Sequence, residues 1–184
     1  MSKSVLIPVA NGVEDIETVT QIDVLRRAKA QVTVASIEST REIVAARGTR
    51  IVADQLFNDC ADQSYDLISL PGGLPGAERL RDFEPLIARL RQQREEGQYY
   101  GAICASPAYV LQTHGLLEGC EATCFPAFLD QLDKPSSRAV VVSGRCVTSQ
   151  GPGTALAYSL TLVELLFGVE LRQRLAADML VAAA

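Results

Sequence analysis

The stretch Gln98-Tyr-Tyr-Gly-Ala-Ile-Cys104-Ala-Ser-Pro107 decides the fold, because it reads as a buried strand that stops at a cysteine and restarts as a helix. Small residues surround the sulfur at Gly101, Ala102, Ala105 and Ser106, as a sharp strand-to-helix turn requires where the backbone leaves no room for larger side chains. Pro107 suits the first turn of a helix, where a missing N–H costs nothing. A thiol at such a turn faces the positive end of the helix dipole and several unpaired amides, so its thiolate is favoured and its pKa is expected to fall. The alternative is an inert buried cysteine, a common core residue.

Working outward, short apolar runs alternate with helical patterns. Ser4 to Val9 reads as a strand, and Glu14 to Ala28 as a helix with Ile16, Val19, Ile22 and Leu25 at helical spacing. Gln31 to Ser36 is a second strand, and Ile43 to Asp54 reads as a hairpin around Arg47-Gly48. Tyr65 to Leu70 is a further buried strand ending at Pro71-Gly-Gly73. A helix from about Glu84 to Glu96 has Pro85 near its start and Gly97 just past its end. Ala139 to Val142 and Arg145 to Ser149 flank a tight turn at Ser143-Gly144. Gly151-Pro-Gly-Thr154 leads into a helix over Ala155 to Phe167, and a last helix runs from about Val169 almost to the C-terminus. Strands separated by helices imply parallel pairing and a three-layer α/β sandwich built as one domain over residues 1–184.

Composition narrows the function. The net charge of −5 and scattered Lys and Arg argue against a nucleic-acid footprint. No apolar run approaches a membrane span, and the N-terminal run to Ala10 is too short for a signal peptide. The five cysteines, Cys60, Cys104, Cys120, Cys124 and Cys146, form an odd count without framework spacing, so reduced thiols in the cytoplasm are expected. Three residues separate Cys120 from Cys124, but with His114 as the only histidine no metal-ligand set is recognisable, and neither metal nor cofactor is expected.

In a parallel sheet the functional crevice lies at the carboxyl ends of the strands. Three segments converge there: Asn11-Gly-Val-Glu-Asp-Ile-Glu17, Leu70-Pro-Gly-Gly73 and the turn at Cys104. Gly72 and Gly73 offer N–H donors to a developing oxyanion, together with the N–H of Ala105, although Pro-Gly-Gly is also an ordinary turn. Glu14, Asp15 and Glu17 fall in a helix first turn, where carboxylates are stabilised whatever their chemistry. His114, ten residues beyond Cys104, lies roughly 15 Å away along a helix axis, too far to be its base.

These motifs, with Asp23-Val-Leu-Arg-Arg27, Val32-Thr-Val-Ala35 and Thr148-Ser-Gln-Gly-Pro-Gly-Thr154, resemble the DJ-1/PfpI superfamily, most of all its DJ-1 and YajL (ThiJ) branch. The resemblance covers almost the whole chain in order. It implies a flavodoxin-like sandwich, a homodimer, Cys104 as the reactive cysteine, Glu17 as the carboxyl group touching its sulfur, and oxyanion-binding amides at Gly73 and Ala105. Ala105 stands where PfpI-type peptidases carry a histidine, so a Cys-His triad is missing and peptidase activity is not expected. Phe125 replaces a histidine of animal DJ-1 proteins, and Ala45 replaces a hairpin cysteine of several relatives.

A thiolate adds readily to a 2-oxoaldehyde, and a neighbouring carboxyl group can move a proton between the two carbons before water releases a 2-hydroxy acid. The resemblance points the same way, toward glyoxalase or deglycase action on small reactive carbonyl compounds or glycated groups. The other class of function is a redox-sensing chaperone or oxidative-stress protein in which Cys104 oxidation is the signal. On either reading Cys104 is expected to be the most reactive of the five thiols.

Overall fold

The computed structural model describes residues 2–181. Among these, strands β1 (Ser4–Val9), β2 (Gln31–Ser36), β5 (Gln55–Leu56), β6 (Leu67–Leu70), β7 (Tyr99–Ile103), β8 (Val140–Ser143) and β9 (Cys146–Ser149) form one sheet in the order β5-β2-β1-β6-β7-β9-β8. Every pairing is parallel except β8 with β9, whose hairpin turns at Ser143 to Cys146. Helices α1 (Asp15–Arg27), α2 (Gly76–Asp82), α3 (Glu84–Glu95), α4 (Ala155–Phe167) and α5 (Val169–Asp178) cover the sheet. The result is the flavodoxin-like three-layer arrangement that the alternating pattern predicts. The central strands read as continuous apolar runs because both faces are covered: Leu6, Ile7, Leu67, Ile68, Leu70, Ala102 and Ile103 are all buried.

The hairpin β3 (Glu42–Val44) with β4 (Arg50–Val52) forms a separate two-stranded sheet, strapped to the loop between β1 and α1. Gly12 N–H donates to Val44 O and Ala46 N–H to Val13 O, each at 2.8 Å. The Asp15 carboxylate accepts from Arg47 N–H at 2.8 Å and from Thr49 N–H at 3.3 Å, and those bonds hold its pKa down.

Two elements depart from the pattern reading. Helix α2 is additional, because Pro75 and Gly76 disguise its start as a turn. Helix α1 turns part of its expected apolar stripe, Ile16 and Val19, outward while Leu25 stays buried. Its buried residues are Glu17, Thr18, Gln21, Val24 and Leu25, whereas Ile16 and Val19 of the apolar stripe are 56% and 50% exposed. The polar face goes inward because it finds partners there. Gln21 Nε2 donates to Glu17 O at 3.1 Å, its Oε1 accepts from Ser69 Oγ at 2.6 Å, and Ser69 Oγ meets Tyr158 Oη at 2.8 Å. A satisfied buried network of this kind fixes a unique packing, where an unsatisfied one would destabilise it.

Gly101 makes room for that network. A methyl group on it would sit 2.6 Å from both Tyr158 Oη and Val147 O. Gly101→Ala is expected to cost about 1–3 kcal/mol or more through overpacking, measured by denaturant unfolding; a midpoint equal to the parent's would refute this account of the core.

Candidate active site

Cys104 terminates β7 with φ +66°, a left-handed conformation that a non-glycine residue holds at a cost of about 1–3 kcal/mol. The surroundings enforce it. Cys104 N–H donates to Ser149 O at 2.9 Å, Phe125 N–H donates to Cys104 O at 2.8 Å, and Ser106 Oγ ties the following turn to Pro71 O at 2.6 Å. The chain then enters a short, wide π-type helical stretch, Pro107–Gln112. This corrects the picture of an extended helix dipole behind the sulfur. Two individual amides, those of Gly73 and Ala105, lie close enough to the sulfur to favour its thiolate.

Glu17 reaches the same point from the first turn of α1. Glu14 caps that turn by accepting Glu17 N–H at 2.8 Å, so the backbone of Glu17 is held while its side chain turns inward. Glu17 is fully buried, and its Oε2 accepts the Gly72 N–H at 2.8 Å. That bond corrects the expectation for Gly72, whose amide is committed to Glu17 and is not available to an oxyanion. Oε1 has no hydrogen-bond partner, and the carboxyl group lies beside the Cys104 thiol. Gly72 must be glycine for these groups to meet: a Cβ there would lie 2.6 Å from Cys104 Cβ and 2.9 Å from Glu17 Oε2.

The electrostatics correct the expectation of a simply depressed thiol pKa. Burial pushes Glu17 up to about 7. Burial and the neighbouring Glu17 charge push the Cys104 thiol up to about 12, against the pull of the Gly73 and Ala105 amides. Two acids in contact titrate as a pair, so one proton leaves near neutrality and the second is retained far above it. When the retained proton sits on Glu17, its charge no longer opposes the thiolate and the two amides hold the sulfur. Protonation of Glu17 therefore favours the thiolate of Cys104.

The sulfur opens into a cleft of about 310 Å3 bounded by Glu14, Arg47, Leu74, Phe125, Phe128 and Pro152. Phe125 and Phe128 stack at 5.9 Å between centroids and give one apolar wall. Cys104 itself is 8% exposed, enough for a small molecule to reach it. His114 is held elsewhere, its Nε2 within 2.9 Å of Arg81 O. Among the described residues no three His, Cys, Asp or Glu side chains group as a metal site, and no helix is long and apolar enough to cross a membrane. Sequence reasoning singled out Cys104, Glu17, Gly73 and Ala105, and the fold brings all four together. It missed the aromatic wall, which has no local motif.

A buried carboxyl group against a strand-to-helix cysteine, on a seven-stranded α/β sandwich, defines a class of cysteine-elbow proteins. The chain belongs to the DJ-1/PfpI family, whose model matches residues 3–165. Protein DJ-1 homolog B of Arabidopsis thaliana is 48% identical over 168 residues, which is 90% of this chain but 38% of that protein, so the chain spans well under half the length of this plant relative. The glutathione-independent glyoxalase DJR-1.2 of Caenorhabditis elegans is 36% identical, with 92% of this chain and 90% of that protein aligned. Among solved structures, oxidised DJ-1 of Toxoplasma gondii superposes with a TM-score of 0.97 at 46% identity, covering 99% of this chain and all of that one.

The raised Glu17 pKa carries a stability signature. The native state holds this proton more tightly than the unfolded chain between pH 4.5 and about 7, so the contribution is complete below 4.5 and is lost as pH rises through 7. The loss amounts to roughly 3 kcal/mol, and Glu17→Gln should abolish it. Chemical denaturation across that window checks this, and parallel profiles for parent and variant would sink it.

Proposed function

We propose that the protein is a cofactor-independent, cysteine-dependent stress protein of the cytoplasm that acts on reactive 2-oxoaldehydes or their early glycation adducts through Cys104. The observation that carries this reading is the fully buried Glu17 carboxyl group, held by the Gly72 amide beside the Cys104 sulfur, at a cleft that Gly73 and Ala105 also line; burial pushes the carboxyl up to about 7. The activity named for the nematode relative supports it, as do five free cysteines for a reducing compartment.

In this mechanism the thiolate attacks the aldehyde carbon, an S–C bond forms, and the carbonyl electrons move to oxygen. The amides of Gly73 and Ala105, which faced the thiolate, are released to the new alkoxide once the charge has left the sulfur. Glu17 then gives its proton to the alkoxide. As a carboxylate it takes the C–H proton from the former aldehyde carbon, leaving an enediolate, and returns it to the neighbouring carbon while the hydroxyl proton on the first oxygen passes to the second. The product is a thioester of a 2-hydroxy acid, which water cleaves to restore the thiol. The cleft suits a substrate of a few carbons, with its apolar end on Phe125 and Phe128.

Glu17→Gln is expected to lower methylglyoxal turnover by on the order of a hundredfold, while alkylation of Cys104 continues, because the amide can still donate to the sulfur. A variant turning over substrate near the parent's rate would remove Glu17 from the mechanism. The second reading, redox sensing, is favoured by the same two amides, which could hold the oxygens of an oxidised sulfur. Consumption of one equivalent of methylglyoxal per Cys104, without further turnover, would select it.

The proposed assembly is a homodimer through the apolar side of α1. Ile16, Val19 and Val52 are half or more exposed there, and a groove of about 440 Å3 runs between Val19, Ile22, Ile51 and Val52. An apolar patch of this kind on a folded chain marks an association surface. Light scattering at micromolar concentration should return twice the chain mass for the parent and one chain mass for Val19→Asp; a monomeric parent would overturn the proposal.

A further inference from the structure

A second pair of thiols lies away from the cleft. Cys146 opens β9, and Ser149, which holds the Cys104 amide, closes it, so the pair sits at the other end of this strand, roughly 10 Å along it. Cys146 is buried beside Tyr100 on β7, its register partner. Cys120 is part-exposed in the loop that follows Gly115 and Gly119, with its sulfur 4.0 Å from the carbonyl of Ser143, the residue paired with Cys146 across the β8–β9 hairpin. Glu121 N–H donates to Ser143 Oγ at 3.2 Å and anchors the loop there. The two thiols lie close enough to influence each other's ionisation, and the Tyr100 hydroxyl approaches both. Arg94 lies close enough to favour a thiolate, its guanidinium bridging Gly115 O at 2.8 Å and Glu118 O at 3.0 Å.

We propose that Cys120 and Cys146 form a second, reversible redox site, with Cys120 as the peroxide-reactive thiol and Cys146 as its resolving partner. Division of labour follows from burial: only Cys120 meets solvent, and only Cys146 lies within reach of the oxidised product. The Cys120 thiolate attacks one oxygen of hydrogen peroxide, the S–O bond forms, the O–O bond breaks, and hydroxide leaves. Cys146 then attacks the sulfenic sulfur, the S–S bond forms, and the S–O bond breaks. Its thiol proton and one from solvent convert the two hydroxides to water. Two thiols are oxidised by two electrons and one peroxide is reduced to two waters. Closing the pair to an S–S bond of about 2.05 Å requires the Cys120 loop to move toward β9, and Gly115 and Gly119, both at positive φ in open space, give it that freedom. Loss of the Cys120 proton is assisted by the Cys146 S–H, which holds the Cys120 thiol down to about 6.

The test is hydrogen peroxide treatment of the full chain, followed by peptide mapping without reductant. The expected product is an intramolecular Cys120–Cys146 linked peptide, released by dithiothreitol, forming equally in Cys104→Ser. Iodoacetamide labelling of Cys120 should fall by about tenfold on oxidation and return on reduction. In Cys146→Ala the sulfenic acid of Cys120 should persist and be trapped by dimedone; Cys120→Ala, a change at a part-exposed loop position, should leave Cys146 a free thiol. The proposal is overturned if Cys120 goes on to sulfinic acid in the parent without linking, if it links to another cysteine or another chain, or if the link requires Cys104.

Discussion

A sulfur and a buried carboxyl group lie side by side at the centre of this molecule, and much of the fold serves to hold them there. Neither partner reaches the other by local preference. Cys104 must adopt a left-handed backbone, and Glu17 must be buried where its charge is disfavoured. Both penalties are tolerated because the neighbours over-determine the geometry: Ser149 and Phe125 grip the backbone of Cys104, and Gly72 donates to Glu17 from a strand end where no larger residue fits. The penalty on Glu17 is also what tunes it, since a carboxyl group that titrates near neutrality can serve as acid and as base.

The same contact explains the orientation of α1. A helix that must present Glu17 to the sulfur brings Gln21, four residues on, inward as well, and Thr18, three before Gln21, joins that face. Their polar groups are satisfied by the Ser69–Tyr158 pair and by backbone, so the inward face is stable though polar. Ile16 and Val19 are left outside as a consequence. The geometry that brings Glu17 to the sulfur and the exposed apolar stripe on the other side of the helix are therefore linked by helical periodicity.

Thiol chemistry in this chain is graded by environment. Cys60 and Cys124 are buried and their thiols are pushed up by desolvation. Cys104 is governed by a carboxyl group and two amides, whereas Cys120 is governed by another thiol and a nearby guanidinium. Similar side chains thus acquire different reactivity through what each one touches.

The sequence alone determined the α/β sandwich, the cysteine at a strand-to-helix turn and the convergence of three loops, because each is written in local signals: apolar runs of strand length, small residues around Cys104, and glycines after Leu70. The helix over 155–167 and the Arg47-Gly48 hairpin were legible for the same reason. Tertiary structure decided what depends on partners distant in the chain. The inward face of α1 could not be read from its apolar stripe, since burial of a polar face depends on acceptors and donors supplied by β6 and α4. The role of Gly72 depended on Glu17, 55 positions earlier. The pairing of Cys120 with Cys146 arises only when the β8–β9 hairpin meets a loop that precedes it, a contact for which sequence spacing carries no signal.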